Sequence, residues 1–330
     1  MSGAWEGRRV LVTGAGGFVG SWLAAALADR GARVVCLQLR ERHSNIEVLG
    51  LKDRVEVVYG DLVDIELMRC LVRDREIDSC FHLAAQALVG LANASPLSTF
   101  ESNVRGTWNL LEACREAGTV ERIVVASSDK AYGDQDTLPY TEDMPLIGRW
   151  PYDASKACAD IVSRSYAHAY GMPVAVTRMA NIYGGGDFNF SRVVPGTIRS
   201  ALLGENPIVR SDGTPVRDYL HVDDAVAAYL TLAEHVSEDG VRGRAFNFGT
   251  NEPVSVLDLV ERILREFGNP ELLPDVLLNE KIHGEIDRQY LDSATARDVL
   301  GWESKVSLGK GLARSIAWYR EHFDLIREAS

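Results

Sequence analysis

The chain has 330 residues, 46% of them hydrophobic, with 35 basic and 47 acidic side chains and a formal net charge of −12. An acidic chain without a Lys/Arg-rich run is not expected to bind nucleic acid or an anionic membrane. It has no apolar run long enough to span a bilayer, and its first residues do not resemble a secretory signal. The five cysteines are scattered without a C-x-x-C pair. This pattern predicts reduced thiols, no metal site and a cytoplasmic protein.

The first half of the chain alternates short runs of β-branched residues with amphipathic segments. The predicted strands are Arg9–Thr13, Arg33–Leu37, Val55–Tyr59, Ser79–Leu83, Arg122–Ser127 and Pro173–Arg178. Helices are predicted between them near 18–30, 63–75, 98–117 and 152–170. The strands are apolar on both faces, as in a sheet covered above and below. The alternation therefore predicts an α/β protein with a doubly wound parallel sheet.

After Arg178 the alternation weakens, and residues 184–215 are rich in Gly, Pro and Asn. Helices are predicted near 222–235, 255–267 and 307–323, with a short strand near 244–248. We expect a dinucleotide-binding domain over 1–180 that also receives segments near 216–250. Residues 181–330 are expected to build most of a smaller C-terminal cap that binds the substrate.

A glycine-rich loop follows the first strand directly. Gly14, Gly17 and Gly20 are spaced G-x-x-G-x-x-G, with Phe18 and Val19 between the last two. Glycine permits the tight turn and the close approach of a pyrophosphate, and the following helix presents free N–H groups to it. Between a strand and an Ala-rich helix, this pattern predicts a Rossmann-type dinucleotide site.

The end of the second strand bears on the choice of dinucleotide. Gln38 stands where an acidic residue would accept from the ribose hydroxyls, and Arg40 and Arg42 follow. A glutamine still bonds a hydroxyl, whereas an arginine suits a 2′-phosphate. NAD is therefore expected and NADP stays open. Asp61, after the third strand, either bonds the adenine or caps a helix.

The segment "WPYDASK" carries the predicted catalytic pair. Pro151 is well placed to open a helix, so Tyr152 and Lys156 lie one turn apart on one face. An ammonium beside a phenol favours the phenolate and lowers the pKa of the phenol. We expect this pair to supply a base for an alcohol or sugar hydroxyl. His82, at the end of the fourth strand, is expected to be a packed structural residue.

Several segments together resemble a known family. "TGAGGFVG", "FHLAAQ", "NVRGTWNLLEA", "SSDKAYG", "YDASK" and "NIYGGG" are similar to the extended short-chain dehydrogenases/reductases that act as nucleotide-sugar epimerases and dehydratases. The resemblance implies a nicotinamide dinucleotide, a nucleotide-diphosphate sugar and a 4-keto intermediate. It makes Tyr152 the base at the 4-hydroxyl, places Lys156 on the nicotinamide ribose, and gives Ser128 a bond to the 4-oxygen. Further cofactor contacts are implied at Leu62, Leu83, Ala84, Ala85, Gln86 and Asn103.

Asp129 and Lys130 distinguish the reactions within that family. Loss of water across C5 and C6 needs an acid at the C6 hydroxyl and a base at C5. Burial is expected to raise the pKa of Asp129 and lower that of Lys130 for these tasks. An Asp-Lys pair resembles CDP-glucose 4,6-dehydratases and inverting UDP-N-acetylglucosamine 4,6-dehydratases. The prediction is a 4,6-dehydratase, most similar to those acting on CDP-glucose.

The remaining stretches leave an alternative open. "DGTPVRDYLHVDD" resembles the wider group of epimerases and decarboxylases, so a 4-epimerase or decarboxylase is the alternative activity. The substrate contacts implied by the resemblance, some for the diphosphate, are Gln86, Asn181, Arg192, Arg217 and Arg288. The family also implies a homodimer through the helices at 98–117 and 152–170.

Overall fold

The strands predicted in the first half of the chain form a central parallel sheet. The short strand predicted near 244–248 adds one more strand at its edge. The computed structural model describes residues 3–40, 44–277 and 286–328. Its strands in chain order are β1 (Arg9–Thr13), β2 (Arg33–Gln38), β3 (Glu56–Tyr59), β4 (Ser79–His82), β5 (Arg122–Ala126), β6 (Val174–Met179), β7 (Asn181–Tyr183), β8 (Ile208–Val209), β9 (Val216–Arg217), β10 (Tyr219–His221), β11 (Ala245–Phe248), β12 (Val254–Ser255), β13 (Asp275–Val276) and β14 (Arg288–Gln289).

Helices join these strands on both faces of the sheet. They are α1 (Phe18–Asp29), α2 (Asn45–Val48), α3 (Ile65–Asp74), α4 (Val89–Ala94), α5 (Pro96–Phe100), α6 (Gly106–Ala117), α7 (Pro151–Tyr170), α8 (Val193–Leu203), α9 (Val222–His235), α10 (Val256–Phe267), α11 (Ala294–Leu300), α12 (Leu308–Glu321) and α13 (Phe323–Glu328). A π-turn at Glu101–Arg105 and a 3-10 turn at Asp129–Tyr132 complete the set. Among the described residues, none of these helices has the length and apolar character needed to cross a bilayer.

The sheet has seven strands in the order β3-β2-β1-β4-β5-β6-β11, and every neighbouring pair is parallel. The order reverses between β1 and β4, which is the switch point where doubly wound sheets bind ligands. The predicted Rossmann-type α/β fold is confirmed. The strand predicted near 244–248 is β11, and it lies at the edge of the sheet beside β6.

Both faces of the sheet are buried under helices, as the apolar strands predicted. Val10 and Val12 of β1 pack with α1 and α9 on one side, while Leu11 packs with α3 and α6 on the other. A separate apolar cluster joins α8, α10 and α12 in the second half of the chain, through Ile198, Ile263 and Ile316 among others. The second half of the chain thus has a small core of its own.

Two predicted elements differ from the structure. The single helix expected over 98–117 is interrupted by the π-turn, where Thr107 donates to the carbonyl oxygen of Asn103 at 2.6 Å. No helix was predicted within residues 184–215, which are rich in Gly, Pro and Asn, yet they contain α8. Its buried residues Val194, Ile198 and Ala201 follow helical spacing, a pattern masked by the surrounding glycines and prolines.

Candidate active site

The glycine-rich loop after β1 forms one wall of a cleft of about 610 Å³. Gly14 has a φ of 74°, and a Cβ there would lie 2.7 Å from the backbone nitrogen of Ala84. A Cβ at Gly20 would collide with the carbonyl oxygen of Gly14, so larger residues are excluded. No side chain caps α1, whose N-cap is Gly17. The first N–H groups of α1 and the positive end of its dipole are therefore available to a phosphate.

Most of the cofactor contacts predicted from sequence line this cleft. They are Gly14, Gly17, Phe18, Val19, Gly20, Asp61, Leu62, Leu83, Ala84, Ala85, Gln86, Tyr152 and Lys156. Asp64, not Asp61, caps α3, so of the two alternatives for Asp61 the cap is wrong. The cleft volume and its glycine cradle fit a dinucleotide.

Gln38 ends β2 behind the phosphate loop. It is 6% exposed, and its Nε2 has no hydrogen-bond partner in the described part of the chain. A Cβ at Gly16 would lie 2.5 Å from its Oε1, so the amide is held directly under the loop. Arg40 is exposed two residues further on, whereas Arg42 lies outside the described residues. A neutral amide with an unused donor thus occupies the position where NAD-specific sites carry a carboxylate.

This arrangement makes the choice of dinucleotide testable. We expect Gln38→Asp to raise the ratio of the NADP to the NAD dissociation constant by at least about tenfold, because a carboxylate repels the 2′-phosphate and accepts from ribose hydroxyls. Calorimetric titration with each dinucleotide measures the ratio. Arg40→Gln tests the other candidate for the 2′-phosphate and should weaken NADP binding while leaving the NAD dissociation constant unchanged. An unchanged ratio in Gln38→Asp would contradict a ribose position at the end of β2.

Tyr152 lies in the first turn of α7, which begins at Pro151 as predicted. Burial raises the pKa of Tyr152 to about 12, while a hydrogen bond with Ser128 and the charge of Arg192 act in the opposite direction. The prediction that Lys156 lowers the pKa of Tyr152 is therefore wrong for the chain without a bound cofactor. Burial outweighs the neighbouring cations, and the phenol keeps its proton at neutral pH.

Lys156 stands one turn further along α7, where its Nζ donates to the carbonyl oxygen of Ala126 at 2.8 Å. Burial lowers the pKa of Lys156 to about 8. Behind it, His82 is hydrogen-bonded to Thr13 at 2.8 Å and to Thr107 at 3.0 Å. Burial and the charge of Lys156 lower the pKa of His82 to about 3. His82 is thus neutral and packed, as the sequence predicted.

The π-turn positions α7 from behind the cleft. Asn103 is 2% exposed, and its Nδ2 donates to the carbonyl oxygen of Gln86 at 3.1 Å and to Ser155 Oγ at 2.8 Å. Ser155 Oγ donates in turn to the carbonyl oxygen of Tyr152 at 2.7 Å. Asn103 thus ties the loop after β4 to α7, and its predicted contact with the cofactor stays a prediction. The wider π-turn makes room for this buried amide.

Ser128, Asp129 and Lys130 follow β5 and pack against the first turn of α7. Ser128 Oγ accepts from the backbone N–H of Lys130 at 3.2 Å and donates to Asp129 Oδ1 at 3.0 Å. Asp129 is 4% exposed. As predicted, burial raises the pKa of Asp129, against the charges of Lys130 and Arg217 and the bond from Ser128. A raised pKa is the direction required of a carboxyl that protonates a leaving group.

Sequence reasoning missed two titratable residues beside this group. Asp153 follows Tyr152 and is 4% exposed; burial raises its pKa to about 6, with Lys130 opposing and Asp129 reinforcing the shift. Tyr229 of α9 lines the cleft, and burial raises its pKa. Asp153 lies within the "YDASK" segment, which was interpreted for Tyr152 and Lys156 alone, and Tyr229 belongs to no motif. Only the fold reveals that both residues are buried. Asn45, Ala126, Ser127 and Asp187 also line the cleft without having been predicted.

Two of the predicted substrate arginines lie near enough for their charges to act on Tyr152 and Asp129. Arg192 is the N-cap residue of α8, lines the cleft and pairs with Asp187 at 2.9 Å. Arg217 of β9 is 7% exposed and donates to the carbonyl oxygens of Val216 and Asp287 at 2.9 and 3.3 Å. The charge of Arg192 acts on Tyr152, and that of Arg217 acts on Asp129.

Asn181 and Arg288, which were also predicted as substrate contacts, are placed differently from these two arginines. Asn181 begins β7 and is half-buried. Arg288 is exposed, with its guanidinium 6.0 Å from the centre of the Tyr290 ring. Its neighbour Gln289 is paired in register with Arg217 and is buried. Within residues 3–40, 44–277 and 286–328, no group of three His, Cys, Asp or Glu side chains is arranged to hold a metal ion.

The doubly wound sheet, the glycine-lined dinucleotide cleft and a helix carrying Tyr and Lys one turn apart define a short-chain dehydrogenase/reductase. The model of the NAD dependent epimerase/dehydratase family matches residues 10–249. The chain belongs to this family, and its cofactor is NAD.

Known relatives include both dehydratases and epimerases. The CDP-glucose 4,6-dehydratase of Salmonella typhimurium is 31% identical, over 96% of this chain and 91% of that protein. The UDP-glucose 4-epimerase of Mycolicibacterium smegmatis is 33% identical, over 94% of this chain and 98% of that protein. A dTDP-glucose 4,6-dehydratase of Streptomyces venezuelae, solved with NAD bound, is 29% identical and superposes with a TM-score of 0.86 over 98% of this chain and 100% of that one. Overall similarity therefore does not distinguish 4,6-dehydration from 4-epimerisation. The choice between them depends on the residues of the site.

Proposed function

We propose that this chain is a nucleotide-diphosphate-sugar 4,6-dehydratase with a CDP-glucose-like substrate. The observation that carries the proposal is the position of Asp129 and Lys130, in a 3-10 turn packed against the helix of Tyr152. Burial raises the pKa of Asp129, which favours the protonated carboxyl that the departing C6 hydroxyl needs. An epimerase has no use for an acid and a base at this place.

The cleft binds NAD through the glycine loop, Asp61 and the α7 residues. NAD held there would supply the hydride acceptor for C4 and the hydride donor for C6, and its cationic ring would favour the phenolate of Tyr152. Tyr152 then takes the proton of the sugar 4-hydroxyl, while Ser128, which is hydrogen-bonded to it, holds the 4-oxygen. The 4-ketone acidifies C5–H, so Lys130 removes that proton as Asp129 protonates the C6 hydroxyl, which leaves as water.

Arg192 and Arg217 are suited to bind the diphosphate. Guanidinium groups match phosphate geometry, and both lie close enough for their charges to act on catalytic side chains. A diphosphate bound between them would hold the sugar next to Tyr152 and Asp129. The similarity to a CDP-glucose 4,6-dehydratase supports a cytidine nucleotide.

A 4-epimerase is the second candidate, favoured by the similarity to a UDP-glucose 4-epimerase. Incubation with CDP-, dTDP- and UDP-glucose, followed by mass spectrometry, distinguishes the two reactions. A dehydratase yields a 4-keto-6-deoxy product that has lost one water. An epimer of unchanged mass would overturn the proposal, as would loss of carbon dioxide from a UDP-uronic acid added to the same panel of substrates.

We also propose that the chain forms a homodimer through α5, α6 and α7. These helices pack against one another, and they expose large apolar side chains: Leu97 is 74% exposed, Trp108 42% and Ile161 52%. Exposed apolar side chains on neighbouring helices are typical of a protein–protein interface.

Trp108→Glu is expected to weaken this dimer by roughly 30-fold or more, because a buried tryptophan is a frequent interface hot spot. Light scattering across a concentration series measures the association. Leu273→Glu, which changes another exposed apolar residue (65% exposed) between α10 and β13, is the control and should leave it unchanged. A wild-type chain that is monomeric at all concentrations would contradict the dimer.

A further inference from the structure

Asp153 is a buried carboxylate that the mechanism above does not use. It lies in the first turn of α7, directly after Tyr152, and is 4% exposed. The loop at Gly148 presses against it: a Cβ on that glycine would lie 2.8 Å from the Cβ of Asp153. Within the described part of the chain, its carboxylate accepts no hydrogen bond and joins no ion pair. Burying a carboxylate without a partner is unfavourable, so a purely structural role is a poor explanation.

A helix-dipole role does not account for this burial. Acidic residues in a first helical turn stabilise the helix from an exposed position, as Asp258 does in α10. Asp153 is instead buried on α7, the helix against which the 3-10 turn of Asp129 and Lys130 packs. The groups whose charges act on it are Lys130, which favours its ionised form, and Asp129, which opposes it. On its own helix, its charge acts on Tyr152. It therefore belongs to the electrostatic surroundings of the residues assigned to dehydration.

We propose that Asp153 is a positioning residue for dehydration, whose carboxylate stabilises the ammonium that forms on Lys130 when Lys130 removes the C5 proton. This inference rests on the proposed 4,6-dehydratase function. The logic is that of a buried carboxylate behind a general base, which stabilises the protonated base without taking the proton itself. The C5 proton moves to Nζ of Lys130, and the electron pair of the C5–H bond forms the C5–C6 double bond.

The charges balance in this step. The C6–O bond breaks with its electron pair on oxygen, which takes the proton of Asp129 and leaves as water. Asp129 becomes a carboxylate and Lys130 an ammonium, while Asp153 stays ionised, so the net charge of the three groups is the same before and after. The proton is later returned from Lys130 to C5 when C6 is reduced, and Asp129 recovers its proton from water.

Asp153→Asn tests the proposal because it keeps the shape and removes the charge. We expect dehydration to slow by about 10- to 100-fold, since the charge acts at short range in a poorly solvated site. C4 oxidation, followed as reduced nicotinamide in a single turnover with CDP-glucose, should be retained. In the wild type, dehydration should fall as Asp153 takes a proton near its pKa of about 6. In the variant, which has no carboxyl at this position, this fall should be absent.

Control variants separate this role from a structural one. Asp258→Asn removes a first-turn carboxylate from α10 and should change the melting temperature by a similar amount without altering the pH profile. Asp153→Ser repeats the test with a smaller side chain if the amide is not accommodated. Wild-type dehydration with an unchanged pH profile in both Asp153 variants would overturn the proposal. So would equal losses of C4 oxidation and dehydration. A wild-type enzyme that forms no dehydrated product would instead overturn the proposed function.

Discussion

Tyr152→Phe is expected to lower turnover of the nucleotide sugar by roughly 100- to 10,000-fold, the range that a positioned acid–base group contributes. The phenylalanine ring fills the same buried volume, so the fold and the NAD cleft should be preserved. Only the hydroxyl that receives the proton of the 4-hydroxyl is lost. Because C4 oxidation precedes every later step, neither a dehydrated nor an epimerised product should form. The expected loss is therefore the same for both candidate reactions.

The measurement is reduced nicotinamide formed in a single turnover, together with product analysis. Tyr229→Phe is the matched control, since Tyr229 is a second buried phenol that lines the same cleft. That variant should retain C4 oxidation. Full activity in Tyr152→Phe would show that another group removes the proton from the 4-hydroxyl.

Lys130→Met is expected to retain C4 oxidation and to lose dehydration by roughly 100- to 10,000-fold. Methionine replaces the half-buried lysine stem but has no basic nitrogen, so the C5 proton stays in place. Without loss of water there is no C5–C6 double bond to accept the hydride taken from C4. Reduced nicotinamide should therefore accumulate. This split between the two half-reactions is specific to a dehydratase.

Stopped-flow absorbance of reduced nicotinamide and mass spectrometry of the quenched sugar follow the two half-reactions separately. Lys52→Met, a change at a largely exposed lysine (76%), controls for the loss of a positive charge elsewhere. If Lys130→Met makes product as fast as the wild type, Lys130 is not the base at C5. A product of unchanged mass from the wild-type enzyme would favour the epimerase.

Local patterns were sufficient to predict the fold. The alternating apolar strands and amphipathic helices follow from hydrogen-bond periodicity, and β1 to β6 lie within a residue or so of the predicted ranges. The phosphate loop could also be predicted from the sequence. The positive φ of Gly14 and the close contacts that a Cβ at Gly20 would make admit only glycine at these positions. Tyr152 and Lys156 were found because four residues make one helical turn. These features depend on neighbours in sequence, so the sequence displays them.

Other features depend on segments that are far apart in the chain. The pKa of Tyr152 was predicted in the wrong direction because its burial is produced by the whole cleft, whereas the lysine was visible in the motif. The role of Asn103 in holding α7 in place could not be predicted from the sequence, since its partner Ser155 lies 52 positions away. Asp187 and Tyr229 reach the cleft only because the second half of the chain folds back over the sheet.

By itself, the sequence determined the doubly wound sheet, the dinucleotide loop and the Tyr-Lys helix, since each is a short-range consequence of backbone geometry. Only the tertiary structure decided which carboxyls are buried. Asp129 and Asp153 stand 24 positions apart in sequence, yet packing of the 3-10 turn against α7 places both in the electrostatic surroundings of Lys130. Desolvation depends on every atom that excludes water around a group. It is therefore a property of the packed molecule, which no motif records.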